Sequence, residues 1–285
     1  MSLSALEISL LEEAREGRNP TVYARVGMGY YDKADSSFRE QLPKMPVENV
    51  HLTYIFSELL SLINMAIPQC MPHYPENPRE NVREHMAQFM DLISGSTSLF
   101  LANQHTIQTG PVSAPINQVL SSVFKTWSSR MNEDFEGIFS RLVNIVKCMQ
   151  ETASTEMPMY PRVVEMLRLC YIEQSKPDSK AFCLAFPSLA GPDFISAYRD
   201  SKPLALYITL HWAALLHSLD VKYWWAKGVG KSLGEELSEI LLQKELRSEV
   251  NQQWQDGLIW ARKQIGLSTR NYSPLETFLE GWEDN

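Results

Sequence analysis

PLALYITLHWAALLHSL, residues 203–219, is the stretch that decides the architecture. Leu204, Leu206, Ile208, Leu210, Leu215, Leu216 and Leu219 fall on every side of a 3.6-residue helix, so no polar face is left. A helix that is apolar all round is buried all round, and this one is predicted to be the central helix of a bundle. It carries no charged residue. It contains His211 and His217 and falls short of the roughly 20 apolar residues needed to cross a bilayer, so no membrane span is predicted.

The segments around it are amphipathic, with apolar side chains at i, i+3, i+4 and i+7. Leu52, Ile55, Phe56, Leu59, Leu60 and Ile63 complete the pattern between Pro46 and Pro68. Val82, Met86, Phe89, Met90 and Ile93 repeat it, as do Ile116, Leu120, Val123, Phe124 and Trp127, then Ile138, Leu142, Ile145, Val146 and Met149. Val163, Leu167, Cys170 and Tyr171 continue the series, and Trp254, Leu258, Ala261 and Ile265 close it. Proline-rich connections are expected at 68–78, 110–115 and 176–192. No alternating β-branched run is bounded by hairpin signals and no repeat of fixed period is visible, so the fold class is all-α. The expected architecture is a single helical domain over 1–285, a multi-helix bundle around the buried helix with an internal apolar pocket. Gly27 and Gly29 lie in a helical run and are read as close-packing positions.

The net charge of -8 and a pI near 5.4 argue against a nucleic-acid partner, whose phosphates require lysine and arginine. Cys70, Cys148, Cys170 and Cys183 are scattered, with no C-x-x-C pair, so no zinc site is expected and the chain suits a reducing compartment. The first 18 residues mix leucines with Glu7, Glu12, Glu13 and Glu16, which fits an amphipathic helix and not a signal peptide. A cytoplasmic location is expected, or a nuclear one if the protein regulates genes.

Chemistry leaves few marks. D-D-x-x-D and D-x-D-D are absent, and Asn132-Glu-Asp134 reads as the capping end of the following helix. No glycine-rich phosphate cradle, P-loop or G-x-S-x-G is present. His211 and His217 are six apart, about 240° around a helix, which does not suit a metal pair. No metal and no cofactor are expected. What remains is cofactor-free chemistry, in which a shaped apolar cavity orients a reactive molecule, worth about 7 to 11 kcal/mol, and a hydrogen-bond donor polarises a carbonyl. Tyr207, His211 and Tyr223 are the candidate catalytic tips. Phe56, Met90, Ser94, Trp212, Leu215 and Trp224 are the candidate walls of the pocket. The bland alternative is that these are core residues with satisfied hydrogen bonds. The aromatic run 221–225 followed by Gly228-Val-Gly230 has the composition of a flexible gate beside a pocket.

In their order along the chain, several of these stretches resemble the C-terminal ligand-binding domain of fungal zinc-cluster transcription factors of the sterol uptake control class. The run 203–216 carries the likeness, with Tyr223-Trp-Trp225, Gly228-Val-Gly230 and Leu258-Ile-Trp260. Ala34, Phe38, Leu42, Glu48-Asn49, Phe56-Ser-Glu-Leu-Leu60 and Leu92-Ile-Ser-Gly95 agree in the first half. The resemblance implies an all-helical domain with a deep apolar cavity that takes a sterol. The family's six-cysteine zinc cluster and its basic segment are missing here, and Ala261 follows Trp260 where the family has a proline. Two functions follow as expectations. One is a stand-alone enzyme of fungal secondary metabolism, closing rings on a terpenoid- or polyketide-like substrate, for example by a Diels-Alder reaction. The other is a non-catalytic sterol- or terpenoid-binding regulatory domain. An apolar small molecule is the expected partner in both, with a homodimer left open.

Overall fold

The computed structural model describes residues 5–7, 20–70, 82–126, 133–152, 158–176, 182–242 and 248–269. Among them every regular element is helical. In chain order these are α1 (Pro20–Gln41), α2 (Val50–Cys70), α3 (Val82–Ala102), α4 (Gln104–Thr109), α5 (Ser113–Thr126) and α6 (Glu133–Thr152). Then come α7 (Met159–Gln174), α8 (Phe186–Ala190), α9 (Pro192–Arg199), α10 (Pro203–His217), α11 (Val229–Leu242) and α12 (Ser248–Gln264). Short 3-10 turns precede α2, α8 and α11. Each amphipathic segment read from the sequence lies in one of these helices, except that Ile265 stands just past the end of α12 and that Trp127 falls outside the described residues, as do Asn132 and most of the first 18 residues. The chain gathers into two compact units, one made of Met1–Lys125 with Leu219–Val229 and the other of Thr126–Ser218 with Gly230–Asn285.

In the first unit α2 packs along α3 and against α1. Leu60, Met65, Ala66, Met86, Phe89 and Met90 are buried. Leu6, Ala24, Ile63 and Ile67 form a second cluster, covered by Met28, Tyr31 and Trp224. Close packing explains Gly27, where an added Cβ would lie 2.8 Å from Leu6 Cδ2, but not Gly29, which has nothing within 4 Å. Helix α2 continues one turn beyond the boundary expected at Pro68, to Cys70. A proline near a helix end removes one ladder bond and is tolerated there better than in mid-helix. The window Val50–Ile67 is long and apolar enough by composition to cross a membrane, and 50% of it is buried inside the protein, as in a core helix.

The second unit is built around α10. Every residue from Leu204 to Leu216 is buried, so the helix without a polar face is a core helix. It packs on α7, α9 and α12. The stretch expected to be a loop up to Pro192 is partly helical, as a 3-10 turn (Phe182–Ala185) and then α8 and α9. Pro187 and Pro192 stand in the first turns of α8 and α9, where the missing N–H costs nothing and the fixed φ favours a helix, so they mark starts and not breaks. Gly191, at φ +90, makes the corner between them.

The glycine pair read as a flexible gate is two different devices. Gly228 adopts φ +79 and its N–H donates to the Asp220 carboxylate at 3.1 Å, which closes a turn. Gly230 belongs to α11, where an added Cβ would lie 2.2 Å from the backbone nitrogen of His217 and 2.5 Å from the carbonyl oxygen of Ala213. It is a point of backbone contact between α10 and α11, and the expected looseness is absent there.

Candidate functional site

On α10 the spacing of Tyr207 and His211 places both rings on the side that meets α12. Tyr207 stacks on Trp254 with centroids 3.9 Å apart, and His211 stacks on Trp260 at 5.6 Å. The Tyr207 hydroxyl donates to the Trp254 carbonyl at 3.2 Å. His211 Nδ1 lies 2.9 Å from the Tyr207 carbonyl oxygen. A carbonyl only accepts, so Nδ1 carries the proton and Nε2 is left with a bare lone pair, buried and without a partner. Burial pushes the His211 pKa down to about 4, opposed by the bond to Tyr207, so the ring is neutral at physiological pH. Burial also raises the Tyr207 phenol above its ordinary range.

Gly257 of α12 comes close to both polar tips. An added Cβ on Gly257 of α12 would lie 1.8 Å from the Tyr207 hydroxyl oxygen and 3.5 Å from His211 Nε2, so the helices meet at that point. Tyr171 closes the other side by donating to the His211 carbonyl at 2.7 Å. Trp212 is fully buried, its indole N–H donating to the Cys183 carbonyl at 2.8 Å and its ring 5.6 Å from Phe186. Leu215 is buried in the same helix. The thiols nearby are held protonated by burial, Cys183 at about 12 and Cys170 well above its ordinary value, which suits packing and not nucleophilic attack.

The other candidates belong to the first unit. Met90 is fully buried on α3, and Ser94, one turn on, is half-buried with its carbonyl accepting from the Ser98 hydroxyl at 2.9 Å. Trp224 packs on the Leu6 cluster. Tyr223 stacks on Trp225 at 5.0 Å. Phe56 of α2 sits 4.6 Å from Phe38 of α1 and borders a groove.

That groove has a volume of about 340 Å³. Ala34, Ser37, Phe38 and Gln41 supply one wall at the i, i+3, i+4, i+7 spacing of a single α1 face, Leu52, Thr53 and Phe56 supply the other, and Met45 lies in the connection between them. None of these side chains is ionisable, and five are hydrocarbon or thioether. Thr53 is 3% exposed and its hydroxyl has no hydrogen-bond partner. Apart from Phe56, the sequence reading missed this site. The one available signal was the face 34, 37, 38, 41, which mixes small, polar and aromatic residues and so lacks the contrast that marks an amphipathic stripe.

A polar cluster between α2 and α3 was missed as well. Ser96 Oγ lies 2.7 Å from Glu58 Oε1 and 2.7 Å from Ser57 Oγ, while the Ser57 hydroxyl donates to the Tyr54 carbonyl at 2.8 Å. Ser96 donates to an ionised Glu58, and the single Ser57 proton then serves two acceptors, Ser96 Oγ and the Tyr54 carbonyl oxygen; with a proton on Glu58 the direction reverses and each contact has its own proton. Burial raises the Glu58 pKa, against the bonds from Ser96 and Tyr54.

Among the described residues no group of three or more His, Cys, Asp and Glu side chains is placed to hold a metal. Comparison with the known protein families, with the curated proteins and with the solved structures finds no match.

Proposed function

We propose that this protein binds an apolar small molecule in the groove between α1 and α2, and holds it without transforming it. The observation that carries this reading is the lining. A concavity of about 340 Å³ without an ionisable side chain falls at the small end of the ligand-pocket range, roughly 300 to 1,000 Å³, and lacks any group that moves a proton. The resemblance to the sterol-regulator ligand domain implies the same kind of act and supports the reading from the sequence side. The net charge of -8 supports a partner other than nucleic acid.

The alternative, cofactor-free ring closure on a terpenoid- or polyketide-like substrate, draws on the bare Nε2 of His211. It requires room beside that nitrogen, where Gly257 now stands. Incubation with polyene substrates separates the two readings, since a binder returns the substrate unchanged, as a boiled control does.

Phe56→Trp is the test of the groove itself. The larger ring fills the space beside Phe38, and affinity for apolar ligands is expected to fall at least tenfold, about 1.4 kcal/mol. Helicity by circular dichroism is expected to stay unchanged, because Phe56 is only half-buried. Calorimetric titration of both chains with a panel of apolar molecules reads the outcome. Equal affinities remove the groove from consideration.

A further inference from the structure

The groove is apolar except at one buried point, and that point narrows the class of ligand. Thr53 lines it, is 3% exposed, and carries a hydroxyl with no partner in the fold. A buried hydroxyl without a hydrogen bond is costly, and such groups call for a specific explanation. Threonine in a helix divides between two χ1 wells, because its hydroxyl has the option of bonding the carbonyl one turn back. Here that bond is not made. Turning the side chain toward the groove therefore sacrifices no hydrogen bond, and a ligand oxygen meeting the hydroxyl there would supply the one it lacks.

Charge sets the other limit. A carboxylate taken out of water needs a cation or several N–H donors. The lining offers none: Ser37 and Gln41 of α1 are neutral, and the rest apart from Thr53 is hydrocarbon or thioether. A pure hydrocarbon would fill the groove but leave the Thr53 hydroxyl as orphaned as before.

Resting on the proposed function of the same groove, we infer that its ligand is an uncharged, mostly hydrocarbon molecule carrying one hydroxyl or carbonyl oxygen, and that Thr53 is the residue that hydrogen-bonds this oxygen. Thr53 thereby selects among apolar molecules of similar shape.

Geraniol, myrcene and geranate share a branched hydrocarbon skeleton and differ in having a hydroxyl, no oxygen or a carboxylate. They are titrated calorimetrically into the full chain, into Thr53→Val and into Phe56→Trp. Geraniol is expected to bind about fivefold more tightly than myrcene, the equivalent of one net hydrogen bond, and geranate more weakly than geraniol. Thr53→Val keeps the branched shape and is expected to bring geraniol down to the level of myrcene while leaving myrcene unchanged. Without ligand it is also expected to melt higher than the parent, since the orphan hydroxyl is gone. Thr53→Ala gives the same comparison if the valine variant does not fold. If geraniol and myrcene keep their ratio in the Thr53 variants while Phe56→Trp abolishes binding, the anchor is overturned and the groove stands. If geranate binds best, the charge argument is overturned. If Phe56→Trp changes no affinity, or if the parent sediments as a dimer that Phe56→Trp dissociates, the groove is not a small-molecule site and the inference falls with it.

Discussion

Two titratable side chains, His211 and Glu58, have pKa values moved toward the neutral form, with opposite consequences for stability. For His211 the folded pKa of about 4 lies below the ordinary 6.5. The unfolded chain therefore gains a proton as pH falls below 6.5 while the folded chain does not, and stability contributed by the neutral ring is lost as pH drops from 6.5 toward 4. A gap of about 2.5 pH units corresponds to about 3 kcal/mol. His211→Phe is expected to remove this slope from urea denaturation midpoints measured across that window, whatever it does to stability at pH 7. Glu58 is the mirror case, since its folded pKa is raised. Its contribution is full at low pH and is lost as pH rises through the ordinary carboxyl range toward the folded value. Glu58→Gln supplies the N–H that the protonated acid supplies as O–H, and is expected to match the parent at low pH and exceed it at neutral pH. A Gln variant less stable than the parent at pH 7 contradicts the proton count made for the Ser57–Ser96 chain.

Glycines separate helices that are only long from helices that are pressed together. Gly29 in α1 has nothing near its Cβ position and no positive φ, so Gly29→Ala is expected to gain about 0.5 to 1 kcal/mol through helix propensity alone. Gly230 in α11 faces backbone of α10 at 2.2 and 2.5 Å, and backbone does not step aside as a side-chain end does. Gly230→Ala is expected to cost about 3 kcal/mol, or to prevent folding. Thermal denaturation of the two variants beside the parent checks both signs. The prolines follow the same logic of position. Pro187 and Pro192 start helices and Pro68 sits in the last turn of one, so composition alone overstated the loops.

At the level of the molecule, the chain leaves the second unit after Ser218 and returns to it at Gly230, lending Leu219–Val229 to the first. Trp224 is the anchor of that loan, packed on the cluster of Leu6, Ala24, Ile63 and Ile67. Trp224→Ala removes a large half-buried ring and is expected to cost the first unit about 2 kcal/mol. Amide hydrogen exchange reads where the loss falls. Faster exchange in α1 and α2, with α10 keeping its protection, is the expected pattern; equal loss in α10 refutes the assignment of Trp224 to the first unit. The groove lies wholly within the first unit.

Helicity and the burial of α10 were legible in the residues themselves. A 3.6-residue apolar period commits each segment to one conformation, and a helix without a polar face must be enclosed whatever encloses it. Where empty space remains depended on tertiary structure, because a void is the difference between the spacing of two elements and the volume of side chains remote from one another in sequence. Gly257 brings α12 onto Tyr207 and His211, whereas α1 and α2 leave a groove beyond the Phe38–Phe56 contact. The Glu58–Ser96 contact was hidden for the same reason, since it joins residues 38 positions apart.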